Sequence, residues 1–194
     1  MRLYPAVAET LLKIKGAGAA VVGYTESMGF YSNYRVRRLG LDGVLDYVFS
    51  PKDHDIPQGI SRDDIRKYPA AHYKFRYTTH RHTPKGSLKP DQDVLLSIIA
   101  NLKVDRSECV YIGDSPTRDV AMAQDAGVSD VYARYGRAQH LEPYQLLREV
   151  THWTDARVQH ERHVDERNVQ ANTVLEHNFG QLLDHFEFGD WDGR

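Results

Sequence analysis

The sequence has a single cysteine, no extended basic stretch and no long apolar run. One cysteine excludes an intrachain disulfide, and the position of Cys109 within a short apolar run predicts a buried, unreactive thiol in a reducing compartment. The apolar runs fall far short of the roughly 20 residues that a membrane-spanning helix needs. We therefore expect a cytoplasmic protein with no membrane partner.

A dominant charge of either sign is also lacking. Lys and Arg together number 25, Asp and Glu number 27, and the formal net charge is -2. Because electrostatic binding to nucleic acid requires a basic surface, no nucleic-acid partner is predicted. The 41% hydrophobic content over 194 residues is enough for a globular domain with a buried core and a short appendage.

Apolar segments typical of buried strands alternate along the chain with segments of helical periodicity. The predicted strands cover 19–24, 45–50, 109–112 and 128–133, and the predicted helices cover 5–15, 28–39, 90–102, 117–125 and 143–150. Strands that are apolar throughout are typical of parallel sheets covered by helices on both faces. The alternation predicts an α/β fold with a Rossmann-like, three-layer parallel sheet and right-handed crossovers.

Two segments depart from this alternation. Residues 51–87 are polar, and three aromatic residues within 73–77 alternate with polar ones, a period of two that predicts a half-exposed strand in an inserted β-hairpin. Residues 151–194 have apolar residues at helical spacing only near their end, which predicts a helical C-terminal appendage. The predicted domains are therefore 1–150, a core with a polar insertion at about 51–87, and 151–194.

Polar residues lie at the ends of predicted strands, where open parallel sheets form their ligand sites. Thr25 ends the first strand, Lys89 precedes a helix, Asp114 ends the strand over 109–112, and Asp119 lies about one turn further on. Two carboxylates suit Mg²⁺, and a hydroxyl with an ammonium suits a phosphoryl group. The structural alternative is that Asp114 caps the following helix and Asp119 is a first-turn acid, which is compatible with metal binding.

Three segments in this order resemble motifs of the haloacid-dehalogenase-like hydrolases. They are "VVGYT" ending at Thr25, "LKPDQDVL" with Lys89, and "YIGDSPTRDVAMAQDAG" with Asp114 and Asp119, which are similar to the second, third and fourth motifs of that family. The resemblance covers roughly residues 4–150. It implies a Mg²⁺-dependent phosphatase that acts on a small phosphorylated metabolite in its full-length or ancestral form.

The resemblance also implies roles for individual residues. Thr25 and Lys89 would be catalytic and would bind the substrate together with Glu26 and Ser115. The two acids of the fourth motif, Asp114 and Asp119, would bind or position Mg²⁺. Dehalogenase activity is less expected, because Asp114 followed by Asp119 five residues later is typical of a metal site, and carbon–halogen cleavage in this family needs no metal.

The first motif of the family, an Asp-x-Asp-x-Thr run that supplies the nucleophile, is not found upstream of Tyr4. The resemblance therefore implies an incomplete core without the usual cap and without its central strand, which would lie between the strands that end at Thr25 and at Asp114. It also implies that the chain is inactive, or nearly so, on its own. The leading interpretation is a truncated form of a longer protein. A missing N-terminal half, a partner chain, direct pairing of the two flanking strands, and a homo-oligomer remain alternatives. So does a non-catalytic phosphate-binding or protein-interaction module derived from this fold.

Overall fold

The computed structural model describes residues 1–53, 55–137 and 168–191. The chain divides into two compact units, the first comprising Met1–Leu88 with Phe186–Asp192 and the second Lys89–His185. Each unit contains a parallel sheet with helices, so the predicted α/β fold class is confirmed. The predicted domain boundary at 150 and the predicted helix over 143–150 lie outside the described residues.

The first unit is built on a three-stranded parallel sheet in the order β1-β2-β3. Its strands are β1 (Val22–Tyr24), β2 (Tyr47–Ser50) and β3 (Thr79–His82), and its helices are α1 (Val7–Gly16), α2 (Gly29–Arg38) and the short α3 (Arg62–Ile65). Tyr47 pairs with Val22 on one side and with Thr79 on the other. Because β2 is flanked by strands on both sides, its apolar residues Val48 and Phe49 are buried, and they anchor the core of this unit.

The β-hairpin predicted within 51–87 is wrong. Residues Ala70–Tyr73 form a 3₁₀ turn, and the strand that follows them, β3, pairs parallel to β2. The aromatic alternation has another cause: the Tyr73 ring stacks on Phe30 of α2, with centroids 4.4 Å apart, whereas Tyr77 is exposed. The period of two reflects packing against a helix at one position and exposure to solvent at another.

Asp42 explains where β3 begins. Its carboxylate accepts hydrogen bonds from the backbone N–H groups of Arg76, Tyr77 and Thr78 at 2.9–3.1 Å, and from Arg37 at 2.9 Å. Burial alone would raise the pKa of Asp42, but these donors hold it well below its usual range. The carboxylate thus aligns the residues before Thr79 with the neighbouring strand.

The second unit contains another three-stranded parallel sheet, in the order β4-β5-β6. Its strands are β4 (Val110–Gly113), β5 (Ser129–Ala133) and β6 (Thr173–Leu175), and its helices are α4 (Gln92–Leu102), α5 (Ala121–Asp125) and α6 (Leu182–His185). One face of α4 is buried through Val94, Leu95, Ile98, Ile99 and Leu102. These side chains and the fully buried Met122 of α5 form the core of the unit.

The C-terminal segment joins this sheet as a strand, so the predicted helical appendage is wrong for residues 173–175. Leu175 is fully buried in β6, where it pairs with Ala133. The Asp130 carboxylate accepts hydrogen bonds from the backbone N–H of Asn172 at 2.8 Å and from its side-chain amide, which holds the start of β6 against β5. A helix is found where helical spacing was also predicted, over Leu182–His185.

Cys109 is partly exposed rather than buried. The strand begins one residue later, at Val110, so Cys109 lies at the end of the turn Arg106–Glu108. Its Sγ donates to the carbonyl oxygen of Asp105 at 3.3 Å. Partial burial and the nearby carboxylates of Glu108 and Asp105 raise the pKa of this thiol, which leaves it a weak nucleophile near neutral pH.

Two sheet edges bear on the expected gap in the fold. Within the described residues β1 pairs with β2 alone, and β4 pairs with β5 alone. These are the strands between which the first-motif strand was expected. In the described part of the chain, each is therefore an edge strand of its own sheet. None of the described helices combines the length and the apolar character needed to cross a membrane.

Candidate active site

The residues that follow β4 form a capped π-helical turn. Asp114 and Ser115 come directly after the strand, and Pro116–Val120 form the turn that leads into α5. Ser115, rather than Asp114, is the capping residue, because its hydroxyl accepts a hydrogen bond from the backbone N–H of Arg118 at 3.3 Å. Turns of this kind are frequent at functional sites, and this one directs Asp119 back toward the end of β4.

Gly113 allows that return. A Cβ atom built on Gly113 would overlap the Cβ, Cγ and Oδ2 atoms of Asp119. Any other residue at this position would displace the Asp119 carboxylate or the strand itself. The glycine before Asp114 is therefore required by the close approach of a side chain that stands six positions later.

Asp119 is the centre of a buried hydrogen-bonded cluster. The Lys89 Nζ donates to Oδ1 of Asp119 at 2.9 Å, and these two side chains are 13% and 7% exposed. The Tyr111 hydroxyl donates to the same oxygen at 3.1 Å, and the backbone N–H of Ser115 donates to Oδ2 at 3.2 Å. With three donors, the carboxylate is compensated for its burial and held in one orientation.

This cluster fixes the protonation states of its members. Burial alone would lower the pKa of Lys89, but the Asp119 carboxylate and the Tyr111 hydroxyl raise it well above its usual value. Burial and the negative charge of Asp119 raise the pKa of Tyr111 well above its usual value, despite the opposing charge of Lys89. Near neutral pH the site thus presents a permanent ammonium and a protonated phenol.

Asp114 has the opposite surroundings. It is exposed, whereas Asp119 is buried. Although Asp114 is exposed as a residue, partial desolvation of its carboxyl group, and next the negative charge of Asp119, raise the pKa of Asp114. A cation placed at this carboxylate would offset that repulsion.

Mg²⁺ is compatible with this arrangement. The ion is commonly held by one or two carboxylates, with water and phosphate oxygens completing its shell. Asp114 offers an exposed carboxylate for this purpose, whereas the oxygens of Asp119 are engaged by protein donors. Among the residues that the structure describes, no group of three or more His, Cys, Asp or Glu side chains could enclose a metal ion. The ion would therefore rely on solvent and ligand oxygens.

Thr25 and Glu26 belong to the first unit, where they follow β1. The backbone N–H of Thr25 donates to the carbonyl oxygen of Phe49 at 3.0 Å, and its hydroxyl accepts from the backbone N–H of Ser27 at 3.1 Å. Glu26 is half-buried in the same loop. The roles of Thr25 and Glu26 in catalysis and substrate binding stay predictions from the motif, whereas Lys89, Ser115 and Asp119 form one connected cluster, with Asp114 next to Ser115 in the chain.

Sequence reasoning missed Tyr111 and Gly113. Both lie in β4, two residues apart, so their side-chain positions fall on the same face of the sheet. The two-residue spacing of a strand was enough to predict that Tyr111 and Gly113 share a face. It was not enough to predict that Asp119 fills the space beside Gly113, because this contact depends on the path of the π-helical turn.

Three of these residues lie in a part of the chain that matches a known family. Residues 58–133 match the family model described as haloacid dehalogenase-like hydrolase. This region of the chain is therefore similar to the haloacid dehalogenase-like hydrolases. The match contains Lys89, Asp114 and Asp119, covers less than half of the 194 residues, and leaves Thr25 outside it.

One similar solved structure is the 2-haloacid dehalogenase from Pseudomonas syringae pv. Tomato DC3000. The two chains share 17% sequence identity with a TM-score of 0.37, over 80% of this chain and 50% of the dehalogenase chain. The present chain thus spans about half the length of that protein. A similarity of this degree says nothing about a shared substrate. No curated protein matches the chain.

Proposed function

We propose that this haloacid dehalogenase-like chain carries the lysine and the metal-binding carboxylate of a cytoplasmic, Mg²⁺-dependent phosphatase. The substrate in the full-length or ancestral form would be a small phosphorylated metabolite. The observation that carries the proposal is the buried Lys89–Asp119 pair beside the exposed carboxylate of Asp114. An ammonium of fixed charge and a free carboxylate at a strand end are suited to a phosphoryl group and its cation.

Each residue would have a distinct part in this function. Lys89 would oppose the negative charge of the phosphoryl oxygens, and Asp119 would hold Lys89 in place. Asp114 would bind Mg²⁺, which when bound would neutralise phosphate charge. Thr25, Glu26 and Ser115 would contribute donors or contacts to the substrate, as the motifs of the family imply.

The 194 residues contain no Asp-x-Asp-x-Thr run, and the covalent route that the family resemblance implies needs the first aspartate of that run as the phosphoryl acceptor. We therefore expect this chain to bind phosphate without hydrolysing phosphate esters at an appreciable rate. The same observation favours a second candidate function, a phosphate-binding or protein-interaction module that performs no catalysis.

Isothermal titration calorimetry of the 194-residue chain with inorganic phosphate, with and without Mg²⁺, tests the binding site. Mg²⁺ should strengthen phosphate binding. Asp114→Asn should remove that dependence, and Lys89→Met should weaken binding by about tenfold or more, the loss expected for a charged partner. Glu108→Gln, which neutralises an exposed acid before β4, is the matched control and should change neither quantity. Absence of phosphate binding in all conditions would overturn the proposal.

Hydrolysis of an aryl phosphate tests the argument on the nucleophile. Rapid Mg²⁺-dependent turnover that Asp114→Asn abolishes would show that a nucleophile exists within these residues. The genomic sequence before Met1 distinguishes the two candidate functions. An in-frame Asp-x-Asp-x-Thr run there, which restores turnover when joined to the chain, supports the phosphatase, and a nearby in-frame stop codon supports the non-catalytic module.

A further inference from the structure

Tyr111 contacts both members of the buried ion pair. Its hydroxyl donates to Oδ1 of Asp119 at 3.1 Å, and the Lys89 Nζ lies 5.5 Å from the centroid of its ring. One side chain therefore offers a hydrogen bond to the anion and an aromatic face to the cation. Both contacts gain strength where water is excluded.

The three side chains of this cluster come from different structural elements. Lys89 precedes α4, and Asp119 lies in the π-helical turn, so both come from segments outside the sheet. Tyr111 is fixed within β4, where it pairs with Asp130 of the central strand β5. Sites are held most accurately when their supporting residues lie on rigid elements. The Tyr111 phenol, held by β4, thus contacts the Lys89 ammonium and the Asp119 carboxylate, which come from segments outside the sheet.

We propose that Tyr111 is a positioning residue of the candidate site, which fixes the direction of the Lys89 ammonium through Asp119 and through its own ring. The consequence for phosphate rests on the proposed function, but the effect on Lys89 does not. The ordinary alternative is a core tyrosine whose hydroxyl takes up a convenient acceptor and leaves Lys89 unaffected. The two readings differ in what happens to Lys89 when the hydroxyl is removed.

The neighbouring strand offers a matched control. Tyr132 pairs with Gly113 and so lies on the same face of the sheet as Tyr111. It is 5% exposed, and its buried hydroxyl has no hydrogen-bond partner in the described part of the chain. Tyr111→Phe and Tyr132→Phe therefore make the same chemical change on the same face of the sheet, and only Tyr111 has a recorded hydrogen bond to the ion pair.

The first measurement is ¹⁵N NMR of the lysine side chains in the full chain. A buried, hydrogen-bonded ammonium exchanges its protons slowly and gives a resolved Nζ signal, assigned here by its absence from Lys89→Met. Tyr111→Phe should shift this signal and speed its hydrogen exchange severalfold. Tyr132→Phe should leave both unchanged.

The second measurement is the phosphate affinity in the presence of Mg²⁺. Tyr111→Phe should weaken binding about three- to tenfold, the effect of losing one hydrogen bond of typical strength, and Tyr132→Phe should weaken it less than about twofold. The proposal is wrong if Tyr111→Phe changes neither the Nζ signal of Lys89 nor the phosphate affinity.

Failure of the proposed function can be told apart from failure of this inference. If the wild type binds no phosphate, the proposed function fails, and the Nζ signal still decides the role of Tyr111. Should Tyr111→Phe fail to fold, a wild-type Lys89 that exchanges as fast as exposed lysines would refute the inference.

Discussion

Replacing Lys89 with methionine would leave the Asp119 carboxylate buried with two of its three donors. The pair is 2.9 Å apart, which corresponds to roughly 6 kcal/mol of Coulomb attraction at an effective dielectric constant of about 20. Desolvation of both groups in the native protein offsets part of this attraction. The net loss on removing one partner of such a pair is about 3–5 kcal/mol of unfolding free energy.

Removing both charges should be far less costly than the sum of the single changes. Asp119→Asn leaves the Lys89 ammonium buried without the opposing carboxylate charge, and Lys89→Met leaves the carboxylate buried without the ammonium. The double variant has neither buried charge, so the coupling energy of the double-mutant cycle should be about 2 kcal/mol or more. Urea unfolding followed by circular dichroism gives the four free energies.

An exposed ion pair in α1 serves as the control cycle. Lys13 and Glu9 are 2.7 Å apart, but their side chains are 58% and 70% exposed. Water and ions screen such a pair, so the cycle Lys13→Met with Glu9→Gln should give additive changes, with a coupling far smaller than that of the buried pair. Single losses below about 1 kcal/mol at Lys89 and Asp119, with additive energies, would refute our description of a buried, mutually dependent pair.

Three further substitutions test other parts of the structure. Asp42→Asn should destabilise the protein at pH 7 by about 1–3 kcal/mol, and because the folded-state pKa of Asp42 is depressed, urea titrations should show the difference shrinking as the pH falls below about 4. Burial, and next the charge of His82, lower the pKa of His80. Between pH 7.5 and 5.5 the unfolded chain therefore takes up a proton on this ring more readily than the folded protein, so His80→Gln should reduce the loss of melting temperature over this range. Gly18→Ala should lower the melting temperature, since Gly18 has φ +94° and an added Cβ would lie 3.0 Å from the Cα of Asp190; an unchanged value would contradict that packing.

The alternation of apolar strands and amphipathic helices was sufficient to predict most of the fold. The strands over Val110–Gly113 and Ser129–Ala133 lie within one residue of their predicted positions, because each contains a short run of apolar residues next to a turn. The strand Thr173–Leu175 could not be predicted in the same way. Three residues are too few for any periodicity, and their conformation is decided by pairing with a strand some forty positions earlier.

The false hairpin has a similar cause. Tyr73 and Tyr77 share a period of two in sequence, but Tyr73 is buried against Phe30 and Tyr77 is exposed. A local pattern cannot distinguish a strand face from aromatic residues that pack on a distant helix. In this segment the hydrogen bonds of Asp42 with the residues before Thr79, rather than the pattern, determine where the chain becomes extended.

The sequence named the candidate site residues but not their arrangement. The sequence placed Asp114 and Asp119 together as two equivalent acids, whereas the structure gives them opposite surroundings, one exposed and one buried under three donors. This difference depends on the Gly113 backbone, the capped turn and the phenol of Tyr111, none of which the acid spacing encodes. An acid whose oxygens are already engaged is better suited to holding Lys89 than to exchanging ligands with a metal ion. The negative charge it retains also favours a cation at Asp114, so the buried acid would serve the metal site without coordinating the metal.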